Sequence, residues 1–300
     1  MNVNEINAKI LALGTNSNVD IFRVGKSLFD RDILGVHIGN YFGNQVLLTG
    51  SICATDYVTS LLLIKMIDYL KDKQYNGGFY FVPLVNPDGV ELVLNGAESI
   101  RCKKFRDYIL DVNNGNSDFS MWQANANAVD LNENFNVLWG EGVQNVKCPQ
   151  PSNFIGFYPE SEREIQDLIK FVVKNQPSIT IDYHMGENIV YYGFENQSKE
   201  ESAKNLKIAN NIASNNGYSV LKSEGMAGGF QEFSINELKI PSISIYVGNE
   251  DLKNSSDENI NEIYEQNKEV PLIALSSINN IKKASIANGK RLWKGLCLRR

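Results

Sequence analysis

An α/β fold, with a sheet covered by helices on both faces, is what this 300-residue sequence predicts, and three observations carry the expectation. Four runs, "QVLLTGSI" (45–52), "GGFYFVPLV" (77–85), "PSITIDYH" (177–184) and "IPSISIYVG" (240–248), are nearly continuous apolar stretches of the kind found in strands buried on both faces. Helical segments alternate with them, and that alternation argues a layered α/β sheet. Hydrophobic residues make up 43% of the chain and charged residues 21%, enough apolar material for a sizeable core.

The first strands are placed at 33–39, "ILGVHIG", and 45–52, with "NYFGN" as the turn between them. A helix follows over 57–70, because Val58, Leu61, Leu62, Ile64, Ile67 and Leu70 recur at helical spacing. The strand at 77–85 is stopped by "NPDG" (86–89), a turn in which Pro fixes φ and Gly tolerates positive φ. From 90 to 155 periodicity fails, and the Asn-rich "DVNNGNSDFSMWQANANAVDLNENF" predicts long ordered loops, which in compact domains usually carry function. Ser161 with Glu164 three residues on has capping-box spacing and starts a helix that feeds the strand at 177–184. Helices are expected at 199–216, 230–238 and 258–284. With no internal repeat and no Pro/Gly/Ser-rich linker, residues 1–300 read as one domain.

A formal charge of -6 and a pI near 5.2 argue against sequence-independent nucleic-acid binding, which relies on basic surface. The basic terminal stretch "KRLWKGLCLRR" reads as a solvated tail. Cys53, Cys102, Cys148 and Cys297 are widely spaced, so neither a zinc knuckle nor a disulfide framework is signalled, and free thiols are expected. The opening "MNVNEINAKILALGTN" lacks the basic-then-apolar pattern of a signal peptide, and no run reaches the roughly 18 apolar residues of a membrane span. A cytoplasmic location is the expectation.

Longer motifs then stand in a telling order over roughly residues 22–283. They are "FRVGKSLFDRDILGVHIG", "FVPLVNPDGVEL", "WQANANAVDLNENF", "GFYPESEREIQDLIKF", "IDYHMG" and "GGFQEFSINELKIPSISIYVG". Together they resemble the zinc carboxypeptidase family, and within it the bacterial branch that cleaves γ-D-glutamyl-diaminopimelate bonds in peptidoglycan peptides. The resemblance implies a single domain with a mixed, mostly parallel eight-stranded sheet flanked by helices, and a funnel-shaped site at the strand ends. It also implies a zinc held by His, Glu and His, a general-base Glu, and cationic side chains that recognise substrate.

Carried over position by position, that machinery is substituted. The family's "G-x-H-A-x-E" is "GSICATD" here, so its first His is Cys53 and its Glu is Asp56; only His184 is unchanged. The one other histidine, His37, lies in an early strand and cannot repair the set. The general-base position holds Tyr246, and a phenol with a pKa near 10 is a poor base at neutral pH. Recognition positions become Gln123, Asn127 and the pair Asn132-Glu133, which removes cations and adds an acid.

Three readings of the site stand side by side. Cys53, Asp56 and His184 are all chemically capable zinc ligands, but the shorter side chains require the ion to recede by about 1–2 Å. Cys53 could serve as a nucleophile activated by His184, with Asp56 as orienter. The favoured reading is a vacated zinc site in a pseudopeptidase, with no cofactor expected and zinc kept as the alternative. Such a protein binds a peptide, a cell-wall fragment or a protein partner, whereas the alternative is a divergent metallocarboxypeptidase acting on peptidoglycan stem peptides. With Asp56 and Glu133 acidic and Gln123 and Asn127 neutral, the funnel is expected to prefer a neutral or cationic ligand over a free carboxylate.

Overall fold

The structure is a computed structural model that describes residues 1–194, 197–248 and 257–281. Eight strands form one mixed sheet: β1 (Val19–Lys26), β2 (Asp32–Gly39), β3 (Gln45–Gly50), β4 (Gly78–Val82), β5 (Ile179–Met185), β6 (Ile189–Tyr192), β7 (Ser219–Lys222) and β8 (Ser242–Val247). Their order is β1-β2-β4-β3-β5-β8-β6-β7. The central four, β4, β3, β5 and β8, run parallel, while β1, β2 and β6 enter antiparallel pairings. This is the mixed, mostly parallel eight-stranded sheet that the resemblance implies.

Every residue of β3, β4 and β5 is buried, which explains why these runs lack polar alternation. On one face α1 (Val3–Leu13), α2 (Tyr57–Leu70), α6 (Lys199–Asn216) and α8 (Asp257–Asn267) close a core that includes Ile6, Ile10, Leu62, Met66, Ile208, Ile212 and Ile263. On the other, α5 (Arg163–Asn175) and α7 (Phe230–Asn236) contribute Ile165, Leu168, Val172, Phe230 and Phe233. The parallel strands bring the C-terminal ends of β3, β5 and β8 to one end of the sheet. There His184 and Tyr246 are register partners on adjacent strands.

Several sequence expectations need correction. "NPDG" is not a turn but the start of α3 (Pro87–Asn95): the Asn86 side chain accepts from Gly89 N at 3.0 Å, and Pro87 fills the first turn, where its missing N–H costs nothing. Gly89 serves close packing, since a Cβ there would lie 2.3 Å from the Ala124 carbonyl oxygen. Within 90–155, α4 (Lys103–Val112) escaped detection because only Ile109 on it is buried. α1 also went unplaced, although its buried Val3, Ile6, Ile10 and Leu13 follow helical spacing. Ser161 is not the N-cap of α5. Glu162 holds that position without a side-chain capping bond, and the Ser161 hydroxyl donates to the Glu162 carboxylate at 2.7 Å. The closing helix is two segments, α8 and 270–281, broken at 268–269. The basic tail and Cys297 lie outside the described residues. Among the described residues no helix is long and apolar enough to cross a membrane.

Candidate active site

Between β3 and α2 the chain makes a tight descent that fixes Cys53 and Asp56. Ser51 adopts φ 51°, its N–H donates to Thr59 Oγ1 at 2.9 Å, and its hydroxyl lies 3.1 Å from the Asp56 carbonyl oxygen and 2.6 Å from Ser60 Oγ. Ala54 N–H donates to the Gln123 carbonyl at 2.8 Å, tying this loop to the Asn-rich one. A single 3-10 turn, Ala54–Asp56, then leads directly into α2.

His184 near the end of β5 is 2% exposed and held between two acids. Asp56 Oδ2 lies 3.0 Å from its Nδ1, and Asp182 Oδ2 lies 2.8 Å from its Nε2. Asp182 precedes His184 by two residues, so both side chains share one face of the strand. The Ser244 hydroxyl on β8 donates to that same Asp182 oxygen at 2.8 Å. Tyr246 stacks on the imidazole, with ring centres 4.9 Å apart and planes 26° off parallel, and Tyr191 meets Tyr246 edge-on at 5.1 Å. Gly186 leaves the space for this ring, since a Cβ there would come within 2.6 Å of it.

The electrostatics follow from burial and proximity. Burial by itself would favour the neutral imidazole, but Tyr246, the Asp182 and Asp56 carboxylates and the Cys53 sulfur outweigh it, holding His184 well above the ordinary histidine value. Burial, reinforced by Asp130 and Asp56, pushes the Cys53 thiol far up. That disfavours a thiolate nucleophile. Burial likewise raises the Tyr246 phenol.

The structure thus brings together Cys53, Asp56, His184 and Tyr246, with one ligand atom each from the first three all within 4.8 Å of one another. The recognition positions behave differently. Asn127 turns its amide to Glu162 at 3.0 Å, beside Asn125 at 2.7 Å. The Gln123 main chain is spent on Ala54 and Pro151. Asn132 Oδ1 accepts from Phe230 N–H at 3.1 Å and borders a cavity. Glu133 neither turns outward nor meets a cation among the described residues. It accepts from Asn145 at 2.5 Å, and burial, with Asp130 and Glu232 adding to it, pushes its carboxyl up to about 8. It is therefore mainly neutral at pH 7, not the fixed negative charge expected from the sequence.

The cavity beside Tyr246 measures about 240 Å³ and is walled by Asp182, Ser244, Gln231, Glu232 and Asn132, with Lys222 and Glu224 also on its lining. Two residues that line it, Gln231 and Asp182, each carry a buried oxygen, Oε1 and Oδ1, with no hydrogen-bond partner among the described residues. Burial pushes the Glu232 carboxyl up to about 7, with Asp182 adding to the shift. Sequence reasoning missed these three residues. Asp182 was legible from its two-residue spacing to His184, whereas Gln231 and Glu232 face the site only because α7 packs against the ends of β5 and β8.

The sequence profile of the family described as zinc carboxypeptidase matches residues 9–270. This chain belongs to the zinc carboxypeptidase family. It is 29% identical over 241 residues to the protein YqgT of Bacillus subtilis, covering 73% of this chain and 63% of that protein. It is 26% identical over 241 residues to gamma-D-glutamyl-L-diamino acid endopeptidase 1 of Lysinibacillus sphaericus, covering 75% and 59%. The chain therefore spans about three fifths of the length of these curated relatives. Bovine thrombin-activatable fibrinolysis inhibitor, solved with a tick carboxypeptidase inhibitor, superposes with a TM-score of 0.75 at 18% identity, covering 93% of this chain and 97% of that one. The family match places the chain with the zinc carboxypeptidases, and the bovine structure shows that the fold is shared.

For a zinc carboxypeptidase the donor set is unusual, yet it fits a metal ion. Thiol sulfur, carboxylate oxygen and imidazole nitrogen are all donors that zinc accepts, and they converge here. Asp182 on Nε2 is the kind of outer hydrogen bond that orients a ligating imidazole, leaving Nδ1 on the side of Asp56.

Proposed function

We propose that this zinc carboxypeptidase-family chain is a pseudopeptidase, a binding protein that receives a peptide with an amine-bearing side chain. Tyr246 carries the non-catalytic reading. It stands where the family resemblance expects the general-base Glu, packed flat on His184, with its phenol raised further by burial. A buried phenol does not take a proton from water at neutral pH.

The cavity supports the choice of ligand. Among the described residues Gln231 Oε1 and Asp182 Oδ1 are buried acceptors without donors, and Glu232 adds a carboxyl, while Lys222 also lines the cavity. Leaving such groups unpaired is costly, and an ammonium supplies three donors. The positions where the resemblance expects arginines hold Asn127 and Glu133, whose side chains are engaged with Glu162 and Asn145, so neither offers a cation to a free carboxylate. Since a relative bears the name of a diamino acid endopeptidase, a peptidoglycan stem peptide with a diamino residue is the natural candidate. Calorimetric titration with matched peptides tests this. The free side-chain amine should bind at least about tenfold more tightly than its acetylated form. Equal binding of the two, or a preference for a free over an amidated C-terminus, refutes the reading.

A second reading rests on the convergence of Cys53, Asp56 and His184. Those residues would hold zinc, which supplies carbonyl polarisation and an acidified water. Glu232, whose carboxyl burial lifts to about 7, is then a side chain on the cavity wall able to accept a proton. Stoichiometric metal, together with chelator-sensitive hydrolysis lost in Glu232→Gln, would establish this reading over the first.

A further inference from the structure

A second concave site lies away from the funnel, where α5 leaves part of the sheet uncovered near β1. It is a groove of about 430 Å³, within the size range of small-molecule pockets. Its floor is aromatic: Phe22 and Phe171 stack at 5.4 Å and 21°, and Tyr80 stands edge-on to both. Tyr80 is only 7% exposed, it lines the groove, and its hydroxyl has no hydrogen-bond partner among the described residues. That hydroxyl is free to meet a ligand atom in place of water.

One wall is Tyr41, which is 53% exposed yet fixed in place. Its ring lies on His37 at 3.7 Å and 13°, and its hydroxyl donates to Asp20 at 2.8 Å. His37 is itself anchored by Gln45 at 3.1 Å. The stack covers one face of Tyr41 and leaves the other for a further ring. The rim carries Arg23, Lys170 and Lys174 against Asp167, which pairs with Lys170 at 3.0 Å, and the nearby Asp20 is occupied by the Tyr41 hydroxyl. Arg23 pairs loosely with Asp32 at 3.6 Å, and Lys174 has no ion pair among the described residues.

We propose that this groove binds a small planar aromatic anion, an aryl carboxylate or aryl phosphate. Its ring lies against the Tyr41, Phe22 and Phe171 surfaces, a polar edge meets the Tyr80 hydroxyl, and the anionic group faces Lys174 and Arg23. Stacking gives the preference for a ring, and the rim charge gives the sign.

The test is a nitrogen-15 NMR titration of the full chain with phenyl phosphate and 4-hydroxybenzoate, taken to about 10 mM to detect weak binding. Benzylamine, cyclohexanecarboxylate and inorganic phosphate are the controls. The expected result is shifts confined to residues 22–24, 41 and 167–175 with the aryl anions alone. Tighter phenyl phosphate assigns the anion as phosphate, and tighter 4-hydroxybenzoate as carboxylate. Tyr80→Phe should weaken binding about two- to tenfold. The surface pair Lys170→Ala and Lys174→Ala, which leaves the core untouched, should weaken it about tenfold at low salt and less at high salt. No shifts, an equal response to benzylamine or cyclohexanecarboxylate, or unchanged binding in both variants overturns the proposal.

Discussion

Replacing Glu232 with Gln should erase a pH dependence that the unmodified chain shows in two separate measurements. Burial, with the Asp182 charge adding to it, lifts the Glu232 carboxyl to about 7, whereas in the unfolded chain it titrates near 4.5. The folded state therefore holds this proton longer than the unfolded one. Below about pH 4 both states are protonated and stability is undiminished. As pH rises through 7 the unfolded state ionises first, and stability falls by up to about 3 kcal/mol, levelling off above 7. Binding of an amine moves the opposite way. The ionised fraction of Glu232 grows from about a tenth near pH 6 to about nine-tenths near pH 8, so the apparent Kd for the ligand should drop about tenfold across that interval. Urea unfolding and calorimetric titration, each run at several pH values, read the two effects. In Glu232→Gln both slopes should flatten, while Glu133→Gln, whose parent carboxyl titrates at about 8, should leave the step near 7 in place. A wild-type chain whose amine affinity is constant from pH 6 to 8, or a Gln variant that keeps the tenfold step, refutes the assignment of Glu232 as the ligand's counter-charge.

Protein purified without chelator should carry well under one zinc per chain by elemental analysis; near-stoichiometric zinc that disappears in Cys53→Ser would reverse the favoured reading of the site. Peptides ending in γ-D-glutamyl-diaminopimelate should not be hydrolysed, since losing an acid-base group costs about 10² to 10⁴ in rate even with metal in place. Turnover that survives Tyr246→Phe would show the essential group lies elsewhere. Glu164, 1% exposed, is pushed up to about 8 by burial, with Asp88 and Glu162 adding to it and the main-chain N–H groups of Glu164 and Leu28 only partly offsetting it. Its folded-state value is raised, so stability is lost as pH rises from 4.5 through 8, and Glu164→Gln should raise Tm by a few degrees above pH 8 while changing little near pH 5. A variant less stable at both pH values would mean the carboxyl makes a contact its surroundings require.

Much of the scaffold was legible because its signals are local. The all-apolar runs became β3, β4, β5 and β8, and the spacing of Val58, Leu62, Ile67 and Leu70 became the buried stripe of α2. What escaped depended on tertiary contacts. The strand β7 has three exposed residues of four and exists by pairing with β6, and α4 shows the core a single buried side chain. At the site the division is the same. Cys53, Asp56, His184 and Tyr246 could be placed by motif order, but the partners that decide their chemistry could not. The Asp182 contact to Nε2, the α7 residues Gln231 and Glu232, and the Asn127–Glu162 bond arise only when distant segments meet.

The motifs that still resemble the family share a physical property: their side chains hold backbone. Asn86 caps α3 and donates to the Ile52 carbonyl at 3.2 Å. Asn134 donates to the carbonyls of Ile155 and Tyr158 and to Ser161, and accepts from Glu162 N–H at 3.1 Å. Asp130 accepts from the N–H groups of Asn132 and Asn153. Replacing any of these strands buried amides, a cost paid in stability whatever the protein does. Positions that differ from the family pattern, Cys53, Asp56 and Tyr246, sit around the cavity end of the sheet, where among the described residues no main-chain bond depends on their side chains. Charge balance there is internal. His184 is held toward its protonated form between Asp56 and Asp182, and burial raises Asp130, Glu133 and Glu232 toward their neutral forms. Protons thus offset the buried acidity that cations would otherwise offset. The scaffold can therefore stand while the group filling the cavity is left to the ligand.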